Sequence, residues 1–537
     1  MSWKLRRSLV MVWVAVLLVT ATPSVASPVT ATATPLSTTT SSFLPLASSR
    51  IVGADAPAAL SAGRIQYATV AGRSGVPAGV SAARLVVTFS PAAAAVELRV
   101  HASGTTPPLV PTLVANAVGE PLVRSIVVPV GANGQIEFRP SGTGVMTVDL
   151  IGVFVPATSS SAGRFVAADP VLLAEVAGAR SISAALPSSV PADASGIVLS
   201  LTSWSAAALG TWLAADGSPA VMAVPGRVVS NEVVVRAVDG RVNFTSAVSS
   251  RMAVELVGWF TGGTASVGTD GLYVVAPPTR LLDTTSAPNP LGFGVALHSR
   301  WTVETAVVPF TGASAVVVRV GGSSAHTTGS TTVYPAGRGR ATYGQVHASG
   351  PGAASVVEVT VGVSTRGIAA YSSGGTELVL DVVGWFTGTA STSPAARPVN
   401  VMPSGERFPG LLMIPRIRLT TGVLDDTALV DFDPAHLPES RSPNQPGNTA
   451  LFGHRTSKGR EFRNIDRIRP GDPIYLALQG KIYVYSAMSV QVLSPDDPRL
   501  YASNSNDQTL TLVACHPPGS VRQRVVVFAH LKGVTSL

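Results

Sequence analysis

The chain has 537 residues, 46% hydrophobic and only 13% charged, with 51 Gly, 41 Pro and one Cys. That much apolar residue with so little charge excludes a highly charged disordered chain, and one cysteine excludes an intrachain disulfide framework or a cysteine-rich zinc site. The net charge of +8 is dispersed, with lysine only at positions 4, 458, 481 and 532 and no basic block interleaved with aromatics, so nucleic acid is not indicated as a partner.

The first element is an export signal. Lys4, Arg6 and Arg7 precede an apolar run from Leu9 to Val19, and Ser24-Val25-Ala26 is a small-x-small cleavage site, so residues 1–26 read as a signal peptide cut after Ala26. The run is shorter than the roughly 20 residues that span a bilayer, which disfavours an uncleaved anchor. The protein is expected to be exported, to the cell surface and wall or the medium. Residues 27–44, rich in Ser, Thr, Pro and Ala, read as a spacer.

Three degenerate copies of one motif come next. Asp149-Leu150-Ile151-Gly152-Val153-Phe154 recurs as Glu255-Leu256-Val257-Gly258-Trp259-Phe260 and as Asp381-Val382-Val383-Gly384-Trp385-Phe386. The unit starts correspond loosely, as Arg50-Ile51-Val52, Val171-Leu172-Leu173 and Arg280-Leu281-Leu282-Asp283. The glycines are 106 and 126 residues apart, a domain-sized period rather than the roughly 20–50 residues of a solenoid. Alternating segments such as Leu85–Phe89 and Val316–Val320, bounded by turn residues, predict β-sandwich-like units. The boundaries are 45–157, 158–263 and 264–388. The repeated acids read as turn caps or arginine partners, Trp259 and Trp385 as core. His101, His298, His326 and His347 share no metal-ligand spacing and read as solvated. The units resemble β-rich repeats of secreted actinobacterial surface proteins, the third copy best through Arg280-Leu281-Leu282-Asp283-Thr284. That resemblance implies spacers or modules that contact a cell-wall polymer.

A linker, 389–409, leads into residues 410–537, long enough for an independent core. Strands are expected at 416–423, 449–453, 474–478, 481–492, 509–514 and 524–529, with a short helical stretch at 461–468. Cys515 ends the apolar strand, and Pro517-Pro518-Gly519 break the chain after it. A lone cysteine is as readily an inert small apolar residue as a nucleophile. A nucleophilic cysteine needs a nearby cation or base and an oxyanion donor. His454, after one strand, and Arg524, opening another, can converge on Cys515 from adjacent strand ends. His516 points to the opposite strand face, Arg522 lies two residues further from the apolar strand than Arg524, and His436 and His530 carry no motif.

This segment resembles a sortase, through Ile414-Pro415-Arg416-Ile417, Pro446-Gly447-Asn448 before Gly453-His454-Arg455, Thr511-Leu512-Val513-Ala514-Cys515 and Arg524-Val525-Val526-Val527. Gly-His-Arg together with Cys515-His516-Pro517 and Gln523-Arg524 is most similar to class E, the actinobacterial housekeeping group. The resemblance implies a closed β-barrel with short helices, so the whole chain is expected to be mostly β. It implies that Cys515 is the nucleophile, His454 the general acid and base, and Arg524 the oxyanion and substrate stabiliser, with no cofactor and no metal. The partners implied are surface proteins bearing an LPxTG- or LAxTG-like sorting signal and a peptidoglycan-precursor amine. One departure is Ala514, where the family usually has Thr before the cysteine. The alternatives are a non-catalytic surface protein with a degenerate sortase domain, or a sortase that hydrolyses its thioester or joins pilins.

Overall fold

The computed structural model describes residues 39–536, apart from 93–94, 117–120, 205–207, 284–300, 306, 308–309, 324–328, 349–353, 375, 393–400, 404–409, 425–426, 428–429, 432, 444, 458, 479–480 and 502–505. Residues 1–26, read as a signal peptide, and His298 and His326 lie outside the described residues. The fold is mostly β, as expected, and its first strand, Thr40–Val52, begins within the segment read as spacer.

Each repeated motif lies on a long strand: Gly144–Pro156, Arg241–Phe260 and Glu377–Thr387. Each pairs antiparallel with the strand that opens its unit: Thr40–Val52, Phe165–Ala185 and Tyr273–Asp283. On the other side lie Ala82–Pro91, Gly196–Trp204 and Ala313–Ser323, followed by Leu122–Pro129, Val228–Val235 and Ser355–Gly362. The register sets Arg50 opposite Asp149, Leu172 opposite Glu255 and Arg280 opposite Asp381. Leu172, and not Val171, is therefore the counterpart of the two arginines. Arg50 Nε donates to Asp149 at 2.6 Å and Arg280 pairs with Asp381. Glu255, which has no such arginine, accepts from the backbone N–H of Thr342 at 2.6 Å and of Tyr343 at 3.3 Å.

The glycine and the phenylalanine of the motif build one hub. A Cβ at Gly152 would collide with the Phe43 ring, one at Gly258 with Phe165, and one at Gly384 with Tyr273. Each glycine therefore seats the aromatic residue that opens its own unit. That ring then stacks on the motif phenylalanine of the next unit: Phe43 on Phe260 at 4.3 Å, Phe165 on Phe386 at 4.7 Å and Tyr273 on Phe154 at 4.2 Å between centroids. All six rings are 4% exposed or less, so the three units share one core with approximate threefold order.

A buried polar ring repeats this order. Ser125, Glu232 and Glu358 hold equivalent positions, opposite Val86, Ser200 and Arg319. Glu232 accepts from Thr360 N (2.6 Å) and Arg84 Nη2 (3.0 Å), and Glu358 from Val127 N (2.8 Å) and Arg319 Nη2 (2.7 Å). At the third corner, Ser125 N donates to Asn231 Oδ1 at 3.0 Å. Removing one partner of a buried ion pair costs about 3–5 kcal/mol, so the ring disfavours slipped packings.

The C-terminal barrel has eight strands: β1 (Gly410–Ile414), β2 (Leu419–Val423), β3 (Ala435–His436), β4 (Gly447–Phe452), β5 (Pro473–Leu478), β6 (Lys481–Leu493), β7 (Gln508–His516) and β8 (Gln523–Ser536). Their order is β2-β1-β5-β6-β8-β7-β4-β3, and a bridge from Leu424 to Ala435 returns β3 to the end of β2. Alternation along β7 turns Leu510, Leu512 and Ala514 into the core with Val525, Val527 and Ala529 of β8. The strand expected from Arg416 starts at Leu419, because Pro415–Ile417 forms a 3-10 turn and Arg418 is left-handed at φ 53°. The expected helical stretch is only the 3-10 turn Ile465–Arg467, with Phe462 and Ile465 plugging the barrel.

Candidate active site

Of the three residues singled out from the sequence, Cys515 and Arg524 lie on adjacent strands, and His454 lies two residues past the end of the neighbouring strand β4. Cys515 on β7 is the direct cross-strand partner of Arg524 on β8, and directly opposed residues share a sheet face. On the other side, β4 runs parallel to β7 with Phe452 level with Val513, and Gly453 N donates to Val513 O at 3.0 Å. His454 is the next residue of that chain, and with β4, β7 and β8 adjacent in the sheet the order across the three strand ends is His454, Cys515, Arg524.

Cys515 is half-buried. It shares its face of β7 with Thr511 and Val513 and is turned away from the barrel core. Beneath it Val513 packs with Val526, Leu493 and Leu500, an apolar floor beside the thiol. Ala514 is 2% exposed and belongs to the core. The residue that departs from the family pattern thus faces the barrel interior, opposite the thiol.

His454 is held at both ring nitrogens: Nε2 lies 2.8 Å from Asp431 Oδ1 and Nδ1 3.1 Å from Ser457 Oγ. Its carbonyl accepts from Phe462 N at 3.1 Å, which fixes the loop after β4. Two more acids stand close by. Burial raises the Glu461 carboxyl above its ordinary range against the pull of His454. Burial also raises Asp433 well above its range, with the charge of Glu461 adding to it and a 2.6 Å hydrogen bond from Thr421 Oγ1 opposing it.

Arg524 spends Nη1 on the carbonyls of Val521 (2.9 Å) and Gln523 (3.1 Å). Nε and Nη2 have no protein acceptor among the described residues, so both can donate to a substrate carbonyl on the Cys515 face. Arg522, its rival, is exposed in the turn before β8.

Sequence reasoning gave no part to Asp431, Ser457 or Arg455. Arg455 follows His454 and is 4% exposed. Its Nη1 donates to His516 Nδ1 at 2.7 Å and its Nη2 pairs with Asp466 at 2.6 Å. It thereby ties the residue after the histidine to the residue after the cysteine. The pattern Gly-His-Arg contained that arginine, but only the fold shows what it reaches. His436 is half-buried and bonds Ser440 at 3.0 Å, and Leu437–Ser440 is a turn. His530 is half-buried, with Nδ1 enclosed and without a hydrogen-bond partner. His101 is not solvated as expected: it is 6% exposed and bonded to Thr105 and Arg139. His347 lies against a cavity among the repeats.

Comparisons with known proteins find likeness in the C-terminal part of the chain. Residues 412–532 match the sortase domain family, so the C-terminal part of the chain carries a sortase domain. Sortase SrtE1 of Streptomyces coelicolor is 32% identical over 93 residues, 16% of this chain and 26% of that protein. Sortase SrtE2 of the same organism is 34% identical over 106 residues, 18% of this chain and 40% of that protein. The chain thus spans less than half the length of these curated relatives. Among solved structures, a lid mutant of sortase A from Corynebacterium diphtheriae aligns with 26% identity over 24% of this chain and 73% of that chain, with a TM-score of 0.23.

Proposed function

We propose that the chain is an exported sortase of class E type, a cysteine transpeptidase carried on three β-rich repeats. The observation that supports it most is the row His454, Cys515, Arg524 on three adjacent strand ends, at one apolar-floored face of the barrel.

The Cys515 thiolate attacks the carbonyl before the Thr-Gly bond of an LPxTG- or LAxTG-like signal. Arg524, through Nε and Nη2, stabilises the oxyanion; losing such a donor costs about 10²–10³ in rate. His454 protonates the leaving amine, the thioester forms, and the same ring then accepts a proton from the incoming peptidoglycan amine; general acid–base action of this kind contributes roughly 10²–10⁴. Asp431 keeps Nε2 engaged, so Nδ1, facing the exposed Ser457 hydroxyl, is the nitrogen that exchanges partners when substrate arrives. Ala514 faces the core, so its missing hydroxyl does not touch the reacting atoms.

The test is product analysis with an LAxTG and an LPxTG peptide, with and without an amine acceptor. An amine-joined product that Cys515→Ala abolishes is expected. Cleavage indifferent to amine makes the enzyme a hydrolase, and a joined product formed only with a lysine side chain makes it a pilin-joining enzyme.

A further inference from the structure

A cavity of about 490 Å3 opens where the three repeats meet. Among its described lining residues are two arginines, Arg124 and Arg227, and no Asp or Glu. Arg124 is the centre of it. Its Nη1 donates to Val123 O (3.0 Å) and Ser230 O (3.3 Å) and its Nε to Val356 O (3.3 Å), one carbonyl from each repeat. Nη2 has no acceptor among the described residues, and it is not an enclosed atom. Burial pulls the guanidinium down to about 10, so it keeps its charge at neutral pH, with no carboxylate paired to it among the described residues.

A cation taken out of water without a partner is costly, and the geometry that leaves one planar nitrogen directed at open space suits an anion. The rest of the lining suits a hydroxylated ring. Asn116 and Ser330 offer amide and hydroxyl groups, while both ends of the Gln345 amide are spent on the Val333 backbone. Trp204 and Tyr343, packed edge-on at 4.6 Å, offer the aromatic surface that the Arg251 guanidinium over the Trp204 ring leaves open. The volume falls in the ordinary range for small-molecule sites, about 300–1,000 Å3. The approximate threefold order also counts the sites: the positions equivalent to Arg124 are Asn231 and Val357, so neither other repeat repeats this arginine.

We propose that this cavity binds one anionic saccharide per chain, its carboxylate or phosphate on Arg124 Nη2 and its ring against Trp204 and Tyr343. This goes beyond the cysteine chemistry and does not depend on it, so binding survives Cys515→Ala.

The test is calorimetric titration of the full chain with glucuronate and glucose 1-phosphate, beside glucose and inorganic phosphate. One-to-one binding of both charged sugars is expected, with glucose and phosphate each at least about tenfold weaker. Arg124→Gln weakens the charged sugars by about ten- to hundredfold. Because Arg124 also staples the three repeats, Ser355→Trp is the second variant: it fills the cavity and keeps the arginine in the chain, and it abolishes binding at an unchanged unfolding temperature. No binding of either charged sugar at about 10 mM, phosphate binding as tightly as the sugars, or undiminished binding by Ser355→Trp would each overturn the proposal.

Discussion

Replacing Arg455 by methionine tests whether the brace behind the site positions the catalytic row. Methionine fills much of the buried volume but removes the charge. The bond to His516 Nδ1, 2.7 Å long and buried on the arginine side, is a hydrogen bond to a charged group, worth about 1.5–3 kcal/mol. The pair with Asp466 is weaker, because that carboxylate is 45% exposed and water replaces the arginine, leaving about 0.2–1 kcal/mol. Together the loss is roughly 2–4 kcal/mol of local stability. A misplacement of about 1 Å costs about 10²-fold in rate, so kcat in the peptide-transfer assay should fall about a hundredfold with KM little changed. Arg455→Lys restores little, since one ammonium cannot reproduce the planar fork that spans His516 and Asp466. Hydrogen exchange of the segments around Arg455 and His516 should quicken in the Arg455→Met variant, which separates a positioning role from direct contact with substrate. Wild-type kcat with wild-type exchange would refute the reasoning.

Other outcomes follow from the same contacts. Asp431→Asn should lower kcat/KM by no more than about fivefold, because the pair with His454 is 49% exposed on the Asp side and is worth about 0.2–1 kcal/mol; steady-state kinetics check this. Asp433 has a folded pKa raised by burial, so the folded barrel binds its proton more tightly than the unfolded chain does. Its contribution is complete below the unfolded value, near 4 for an ordinary Asp (about 3.9), and is lost as pH rises through the raised folded value. Asp433→Asn, which keeps an acceptor for Thr421, should flatten that decline in barrel protection measured by hydrogen exchange against pH. Glu232→Ala leaves Arg84, 4% exposed, without its carboxylate, and should destabilise the repeats by about 3–5 kcal/mol in chemical denaturation.

Much of the barrel was legible because its strands alternate and its motifs are local. Leu510, Leu512 and Ala514 announce an inward face, and the strands at 474–478, 481–492 and 509–514 lie within those observed. Strands β1 and β3 were not read: the one runs into Pro415, and the other is two residues long. The repeated glycine and phenylalanine were visible as a pattern, but their reason was not. A ring seated on the glycine of its own unit and stacked on the phenylalanine of the next is a contact between residues more than 100 positions apart, and no local period encodes it. Arg124 escaped notice for the same cause, since its three carbonyl partners come from three different repeats. His101 and His347 looked like surface residues because polar side chains usually are; here hydrogen bonds to Thr105 and Ser230 accompany their burial. Asp431 is 23 residues from His454 and no motif links the two.

The central claim is that Cys515 carries an acyl group from a sorting signal. Mass analysis of the acid-quenched full chain after brief mixing with an LAxTG or LPxTG peptide measures this directly. The account predicts a mass increase equal to the peptide up to its Thr, located on the peptide fragment containing Cys515, absent in Cys515→Ala and strongly reduced in Arg524→Ala. A folded protein that forms no adduct with either peptide, or one that carries the acyl group on another residue, would contradict it.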